Sequence, residues 1–313
     1  MDNQESDIQR KLSELRTDNS SGASELVFKA LEIVRSQLEL VEDPNGNIKD
    51  LIIDLAKKII DSRPTMAPLI NTIGYIIQNS IPLNKNAIME SLSQFETDRI
   101  SRNKALEENF HEFLNLNAKS HCRLMLISYS STIINLLKKF NKFNLELYVL
   151  ESRPLFEGRK TAEILSKYYK THLIIDAAIG KFIDQLDLVL IGVDSILKDG
   201  SIINKIGSHP LALLAKIYKK KVYAICDSFK YNLRSHFGEP ILIEEKPSDE
   251  IYNEALLNGF LEVHNYYFDI TPSKYISGII TNLGILSVKD FLKRVQKDLP
   301  IDWFKYFIHN KKV

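Results

Sequence analysis

The chain has 313 residues, 44% hydrophobic and 26% charged, and its 41 Lys+Arg nearly balance its 40 Asp+Glu. Such a length buries a large core and predicts about two domains, and the charge balance excludes a wholesale nucleic-acid binder, whose domain would be basic. Cys122 and Cys226 are the two cysteines and neither sits in a CxxC, so no disulfide framework, metal site or metal cofactor is predicted.

No apolar run approaches the ~18 residues of a membrane span. The opening "MDNQESDIQRKL" is too polar for a secretory signal. Both observations predict a cytoplasmic chain with no membrane contact.

Residues 1–120 read as a helical domain. In "ELVFKALEIVRSQLELV", Leu26, Ala30, Ile33, Leu38 and Val41 recur every three to five positions, the face of an amphipathic helix. "SSGASE" before it offers capping serines and a glycine, and "PNGN" at 44–47 breaks the helix. Further helices are predicted at 47–62, 65–79 and 84–118, the last long, charged and suited to a connector or interface.

Residues 121–313 have a different texture. "RLMLIS", "LELYVL", "THLIID", "LDLVLIG" and "KVYAIC" are strand candidates, separated by helical segments such as "STIINLLKKFNK" and "GRKTAEILSKYYK". Continuous apolar strands alternating with helices predict an α/β fold, a mostly parallel, doubly wound sheet covered on both faces. Ligands of such folds bind beyond the carboxyl ends of the strands, so the residues after each strand carry the functional argument.

Those residues are polar. Ser128-Tyr129-Ser130 follows the first strand, Glu151-Ser152-Arg153 the second, Asp176 the third, Asp194 the fourth and Cys226-Asp227-Ser228-Phe229-Lys230 the last. Asn204 and Lys205 sit in "DGSIINKIGSH" after the fourth. Arg153, Lys205 and Lys230 converging with helix N-termini would suit a phosphate. Taken singly each has a plainer role: hydroxyls and aspartates cap helices, "DGS" makes a turn, His121 and His172 at strand starts are structural, and Tyr266, Tyr267 and Phe268 fill a core.

Five segments together resemble a known family: "RPTMAPLIN" (63–71), "ESRPLFEGRKTA" (151–162), "LIGVDSILKDGSIINKIGS" (190–208), "CDSFKY" (226–231) and "FDITPSKYISGIITNLGIL" (268–286). They are similar, in order, to the alpha, beta and delta subunits of translation initiation factor 2B. That family also holds methylthioribose-1-phosphate isomerase and ribose-1,5-bisphosphate isomerase.

The resemblance implies a helical domain followed by a Rossmann-like domain that forms homodimers or higher oligomers, with Tyr266 to Leu286 as a candidate contact. It implies a sugar-phosphate or nucleotide pocket between the domains. Gly22, Ala23 and Arg63 would reach this pocket from one side, and Ser128, Arg153, Asp194, Asn204, Lys205 and Lys230 from the other. No cofactor is implied, and initiation factor 2 or related subunits are the partners of the regulatory members.

Two departures from the enzymes matter. Ser21 stands where the ribose-bisphosphate enzymes carry an arginine, and Ser128 stands where the isomerases carry a catalytic cysteine. A hydroxyl is a far weaker acid than a thiol of pKa ≈ 8.5. Cys122 is six residues upstream, about 20 Å along an extended strand, and Cys226 ends another strand. Asp194 is retained and is the one evident neighbour for Ser128. The resemblance therefore implies an alpha-type regulatory subunit that binds a phosphorylated ligand without turnover. The alternatives are an aldose–ketose isomerase with altered acid–base groups and an assembly module with a vestigial pocket.

Overall fold

The structure, a computed structural model, describes residues 2–18, 22–41, 48–64, 66–118, 120–253, 261–299, 301 and 303–304. Five helices come first: α1 (Asp2–Thr17), α2 (Ala23–Glu39), α3 (Ile48–Ser62), α4 (Ala67–Asn79) and α5 (Lys85–Asn117). α1 was not anticipated, because its first turns are polar. α2 starts differently from the expectation: its N-cap is Gly22, which makes no side-chain cap bond, while Ser20 and Ser21 lie outside the described residues.

The first strand, β1 (Cys122–Leu126), is followed by α6 (Ser131–Lys139), β2 (Leu145–Leu150), α7 (Glu157–Leu165), β3 (Lys170–Ile174), α8 (Ile179–Phe182) and β4 (Leu188–Ile191). Then come β5 (Ser195–Ile196), β6 (Ile202–Lys205), α9 (Ser208–Ile217), β7 (Lys221–Ile225), α10 (Leu233–His236), β8 (Phe268–Thr271), β9 (Gly278–Thr281), β10 (Gly284–Leu286) and α11 (Val288–Asp298). Among the described residues no helix is long and apolar enough to cross a membrane.

Seven strands form one sheet in the order β10-β9-β7-β4-β1-β2-β3. All neighbours are parallel except β10, which pairs antiparallel with β9. The carboxyl ends of β1, β2, β3, β4 and β7 therefore lie on one side. β5, β6 and β8 form a separate antiparallel sheet. "SIINK" and "FDIT" are too short, and too near turn residues, to stand out as strands by pattern.

Successive strand residues face opposite ways, and the core divides accordingly. Met125, Val189, Val222 and Ile279 pack with α1–α4 in one apolar cluster. Leu124, Leu126, Leu147 and Leu190 pack with α6, α7 and the end of α5 in the other. α5 serves both: Ile88, Leu92 and Phe95 enter the first cluster, and Leu106, Phe110, Phe113 and Leu114 the second. It is the connector its length suggested.

Polar ties then fix the helical half to the sheet. The Asn71 amide donates to the carbonyls of Phe229 (2.6 Å) and Tyr231 (2.7 Å), both buried. Arg102 donates to Asp227 at 3.1 Å and lies 4.0 Å from the centre of the Phe229 ring. Asn109 donates to the Thr281 carbonyl at 2.7 Å.

β3 is an edge strand with Lys170 and Leu173 exposed, so "THLIID" is less buried than its apolar run suggested. Its start belongs to an ionic cluster: Lys170 (2.8 Å), His172 (2.7 Å), His121 (3.1 Å) and Arg123 (3.4 Å) surround the buried Glu146 carboxylate. Both histidines are thus structural. Hydrogen bonds from Lys170 and His172 hold the Glu146 carboxyl down at about 2, against an ordinary 4.5. A depressed carboxyl contributes stability above its unfolded value and loses it as pH falls through the folded one. Glu146→Gln should cost about 1–2 kcal/mol at pH 7, discounted for the exposed partners. Denaturant melts should show the gap from wild type closing between pH 4.5 and about 2.

Candidate functional site: a crevice at the strand-order reversal

From β1 the chain moves outward to β2 and β3, and from β4 it moves the other way to β7 and β9. The connections after β1 and β4 diverge, which leaves a crevice above these two neighbouring strands. A cavity of about 180 Å³ occupies it, lined by Ser128 and Tyr129 after β1, Leu155 and Glu157 after β2, and Asp194 after β4. Asp18, Gly22, Ala23, Leu26, Arg63 and Met66 close it from the helical half. A wider cavity of about 520 Å³ adjoins it, sharing Arg63, Met66, Asp194, Lys246 and Phe268.

The floor is built by unusual backbone. Ser128 (φ 70°), Ser152 (φ 66°) and Phe156 (φ 57°) are left-handed without being glycine, a conformation that persists only where surrounding bonds hold it. They are held here. The Ser128 amide donates to Ser152 Oγ at 2.8 Å, and Ser152 Oγ donates to the Leu150 carbonyl at 3.0 Å. Asp176 accepts from the amides of Ser152 (2.8 Å) and Arg153 (2.7 Å), and the Ser128 carbonyl accepts from Thr161 Oγ1 at 2.8 Å.

α7 begins directly on the end of β2. A Cβ at Gly158 would lie 1.8 Å from the Leu150 carbonyl oxygen, so only glycine lets the helix sit there and deliver Glu157 to the crevice. Glu157 Oε1 accepts from Ser128 Oγ at 3.1 Å and lies 2.7 Å from Lys205 Nζ. Ser128 therefore has an adjacent carboxylate, and it is Glu157. Asp194 is the neighbour expected from sequence; the α7 start is what brings Glu157 in.

Lys205 arrives from β6, opposite Phe268 of β8. Neighbouring strand residues face opposite ways, so Asn204 cannot join it. The buried Asn204 donates instead to Ser208 Oγ at 2.9 Å and packs beside Gly192.

Arg153 does not line either cavity; it is exposed, with its guanidinium 4.9 Å from the centre of the Phe156 ring. With both amides taken by Asp176, the chain turns outward at this point. Lys230 lies 3.8 Å from Asp194 and otherwise faces a small cavity of about 80 Å³ behind the start of α2.

Arg63 lines the crevice while donating to the carbonyls of Leu15 and Asp18 past the end of α1, where a cation is favourable. Cys226 is 2% exposed in the core, and burial pushes its thiol well above the ordinary range. Cys122 is buried on the opposite face and pushed up to about 12. Of the three aromatics expected in the core, Tyr267 is buried, Phe268 is half-buried in the crevice wall and Tyr266 is exposed. The position of Ser21 lies outside the described residues.

The reading from sequence thus reaches Gly22, Ala23, Arg63, Ser128, Asp194 and Lys205 on the cavity wall and misses Asp18, Glu157, Lys246 and Tyr267. "ESRPLFEG" carried the signal for Glu157: an acidic residue at the first position of a helix after a strand end. Lys246 lies in an irregular segment with no such signal.

These features agree with comparisons to known proteins. A family profile described as the initiation factor 2 subunit family matches residues 19–288. The chain belongs to that family. It is 30% identical over 237 residues to the ribose 1,5-bisphosphate isomerase of Archaeoglobus fulgidus, covering 74% of each chain. It is 27% identical over 282 residues to a protein of Pyrococcus horikoshii named as eIF-2B subunit 2-like, covering 88% of this chain and 94% of that one. The crystal structure of the Pyrococcus horikoshii OT3 translation initiation factor eIF-2B superposes with a TM-score of 0.74 at 25% identity, covering 90% of this chain and 96% of that one.

Asp194 shows what the crevice costs. Its side chain is 33% exposed, and that surface faces the cavity. Burial pushes its carboxyl above the ordinary 3.8, outweighing the opposing pull of Lys230 and Lys205. For a raised carboxyl the stabilising contribution is complete below the unfolded value and is lost as pH rises through the folded one. Ionised Asp194 therefore costs stability at neutral pH. Asp194→Asn should raise the ligand-free melting temperature at pH 7, with the gain shrinking as pH falls toward 4. Scanning calorimetry across pH checks both.

Proposed function

We propose that the chain is a regulatory-type subunit, similar to the initiation factor 2B alpha subunit, whose crevice binds a phosphorylated sugar or nucleotide and does not turn it over. The observation that carries this reading is the setting of Ser128. Its hydroxyl stands where the isomerases of the family present a thiol, and its Oγ is tied to Glu157. Both cysteines are buried, so neither replaces that thiol. The cavities hold enough polar groups to bind a small polyol phosphate: Ser128, Asp194, Lys205, Arg63 and Lys246 all line them.

One observation favours the isomerase reading. The Ser128–Glu157 contact couples a hydroxyl to a carboxylate, and Asp194 lines the same cavity. A proton shuttle needs a group that titrates near the working pH. The Glu157 oxygen facing Ser128 is the one held by Lys205 at 2.7 Å, so a proton passed to it would displace an ion pair. That weighs the balance toward binding alone.

The regulatory reading carries further expectations: a helical domain and a Rossmann-like domain dividing near residue 120, a cytoplasmic location, assembly into dimers or larger oligomers, and initiation factor 2 or related subunits as partners. Within the proposed Tyr266–Leu286 contact, β9 is fully buried inside the sheet. The edge strand β10 and the exposed Tyr266 are the parts left for a partner.

A thermal-shift panel of ribose 1,5-bisphosphate, methylthioribose 1-phosphate, sugar 6-phosphates and nucleoside monophosphates tests the pocket. At 100 times its dissociation constant a ligand adds about 2.7 kcal/mol, so at least one should raise the melting temperature by several degrees. Lys205→Met should abolish the shift. No shift from any of them would leave the assembly-module reading.

A further inference from the structure

Residues 243–247, which follow α10, form a strap along the crevice. Ile243, Glu244, Glu245, Lys246 and Pro247 all line the wider cavity, and Lys246 also lines the inner one. The strap belongs to no named strand or helix, yet it is firmly tied. Glu245 bridges to Tyr266, and the Lys246 amide donates to the Asn265 carbonyl at 2.8 Å. The Asn265 amide group donates to the Pro247 carbonyl and to Glu250 Oε2, each at 2.7 Å, and the Tyr267 hydroxyl donates to Glu250. Lys246 therefore projects from a fixed backbone, so ordering its side chain costs less.

Its ammonium comes 5.7 Å from the centre of the Tyr267 ring, and that of Lys205 comes 5.4 Å from the same centre. Two ammonium groups on one ring place two cations within reach of a single bound anion. Each has a carboxylate partner, but the partners differ. Lys246, itself largely buried, pairs at 2.8 Å with Glu244, whose side chain is 53% exposed and so can turn to water when an anion takes its place. Lys205 is 4% exposed beside Glu157. Among the described residues its Nζ makes no well-directed hydrogen bond, and Glu157 Oε2 is buried without a partner. Buried polar groups in this condition leave hydrogen-bonding capacity that a bound ligand could take up.

We propose that Lys246 is the phosphate-recognising cation of the crevice, acting with Lys205 across the Tyr267 ring. This rests on the reading of the crevice as a phosphorylated-ligand site and adds a direction to it. The phosphate lies beneath the strap, and the sugar hydroxyls point inward to Ser128 and Asp194. The strap thereby selects phosphorylated over neutral sugars.

Titration calorimetry with ribose 1,5-bisphosphate tests the assignment. A hydrogen bond to a charged group corresponds to a loss of about ten- to a hundredfold in affinity. Lys246→Gln should weaken binding within that range, Lys246→Arg should restore most of it, and the ligand-free melting temperature should not move. If Lys246→Gln binds as tightly as wild type while Lys205→Met does not, Lys246 has no such role and the crevice reading stands. If wild type itself gives no binding, the crevice reading fails and takes this assignment with it.

Discussion

Two parallel strands, β1 and β4, lie side by side, but the chain leaves one toward β2 and the other toward β7. No connection can cover the gap above them. Parallel pairing also aligns every carboxyl end on one side, so the polar residues that follow the strands gather around the gap by topology. Ser128 and Asp194 both line it because they follow the two strands at the reversal. The antiparallel pair β6–β8 then supplies Lys205 and Phe268 as a side wall, and α1 to α4 supply the roof.

What fills the gap is a balanced set of charges. Asp18, Glu157 and Asp194 line the inner cavity with Arg63, Lys205 and Lys246. Each lysine sits near a carboxylate, and Lys230 reaches Asp194 from behind. Such a site is stable when empty, and an incoming phosphate must compete for cations already partly engaged. Glu244 is the more exposed of the two carboxylate partners and Glu157 the more buried. The same balance disfavours chemistry, since the carboxylate beside Ser128 is committed to Lys205. Asp194 is the exception: its ionised form costs the empty protein stability, as expected of a group kept for a ligand.

The doubly wound sheet was legible because its five long strands are apolar runs ended by polar clusters. The short strands were not: "SIINK" is a short run beside the turn "DGS", and pairing with β5 and β8 makes it β6. The missed strand matters at the site. The resemblance places both Asn204 and Lys205 at the pocket; as strand neighbours they face opposite ways, and of the two Lys205 lines the cavity. Arg153 was placed by motif, but the direction of its side chain depends on Asp176, 23 residues on. Glu157 required knowing that Gly158 rests on the Leu150 carbonyl. Local pattern carries the element types, while the facing of individual side chains depends on contacts distant in sequence.

The central claim, that the crevice binds a sugar phosphate and leaves it unchanged, can be read in one phosphorus NMR experiment. Ribose 1,5-bisphosphate is mixed with an equal amount of protein and followed for hours. Its resonances should shift or broaden at once, and no ketose bisphosphate resonance should grow in beyond a protein-free control. Sharp, unshifted resonances, or the appearance of the ketose at ordinary enzyme rates of about 1 per second, would contradict it.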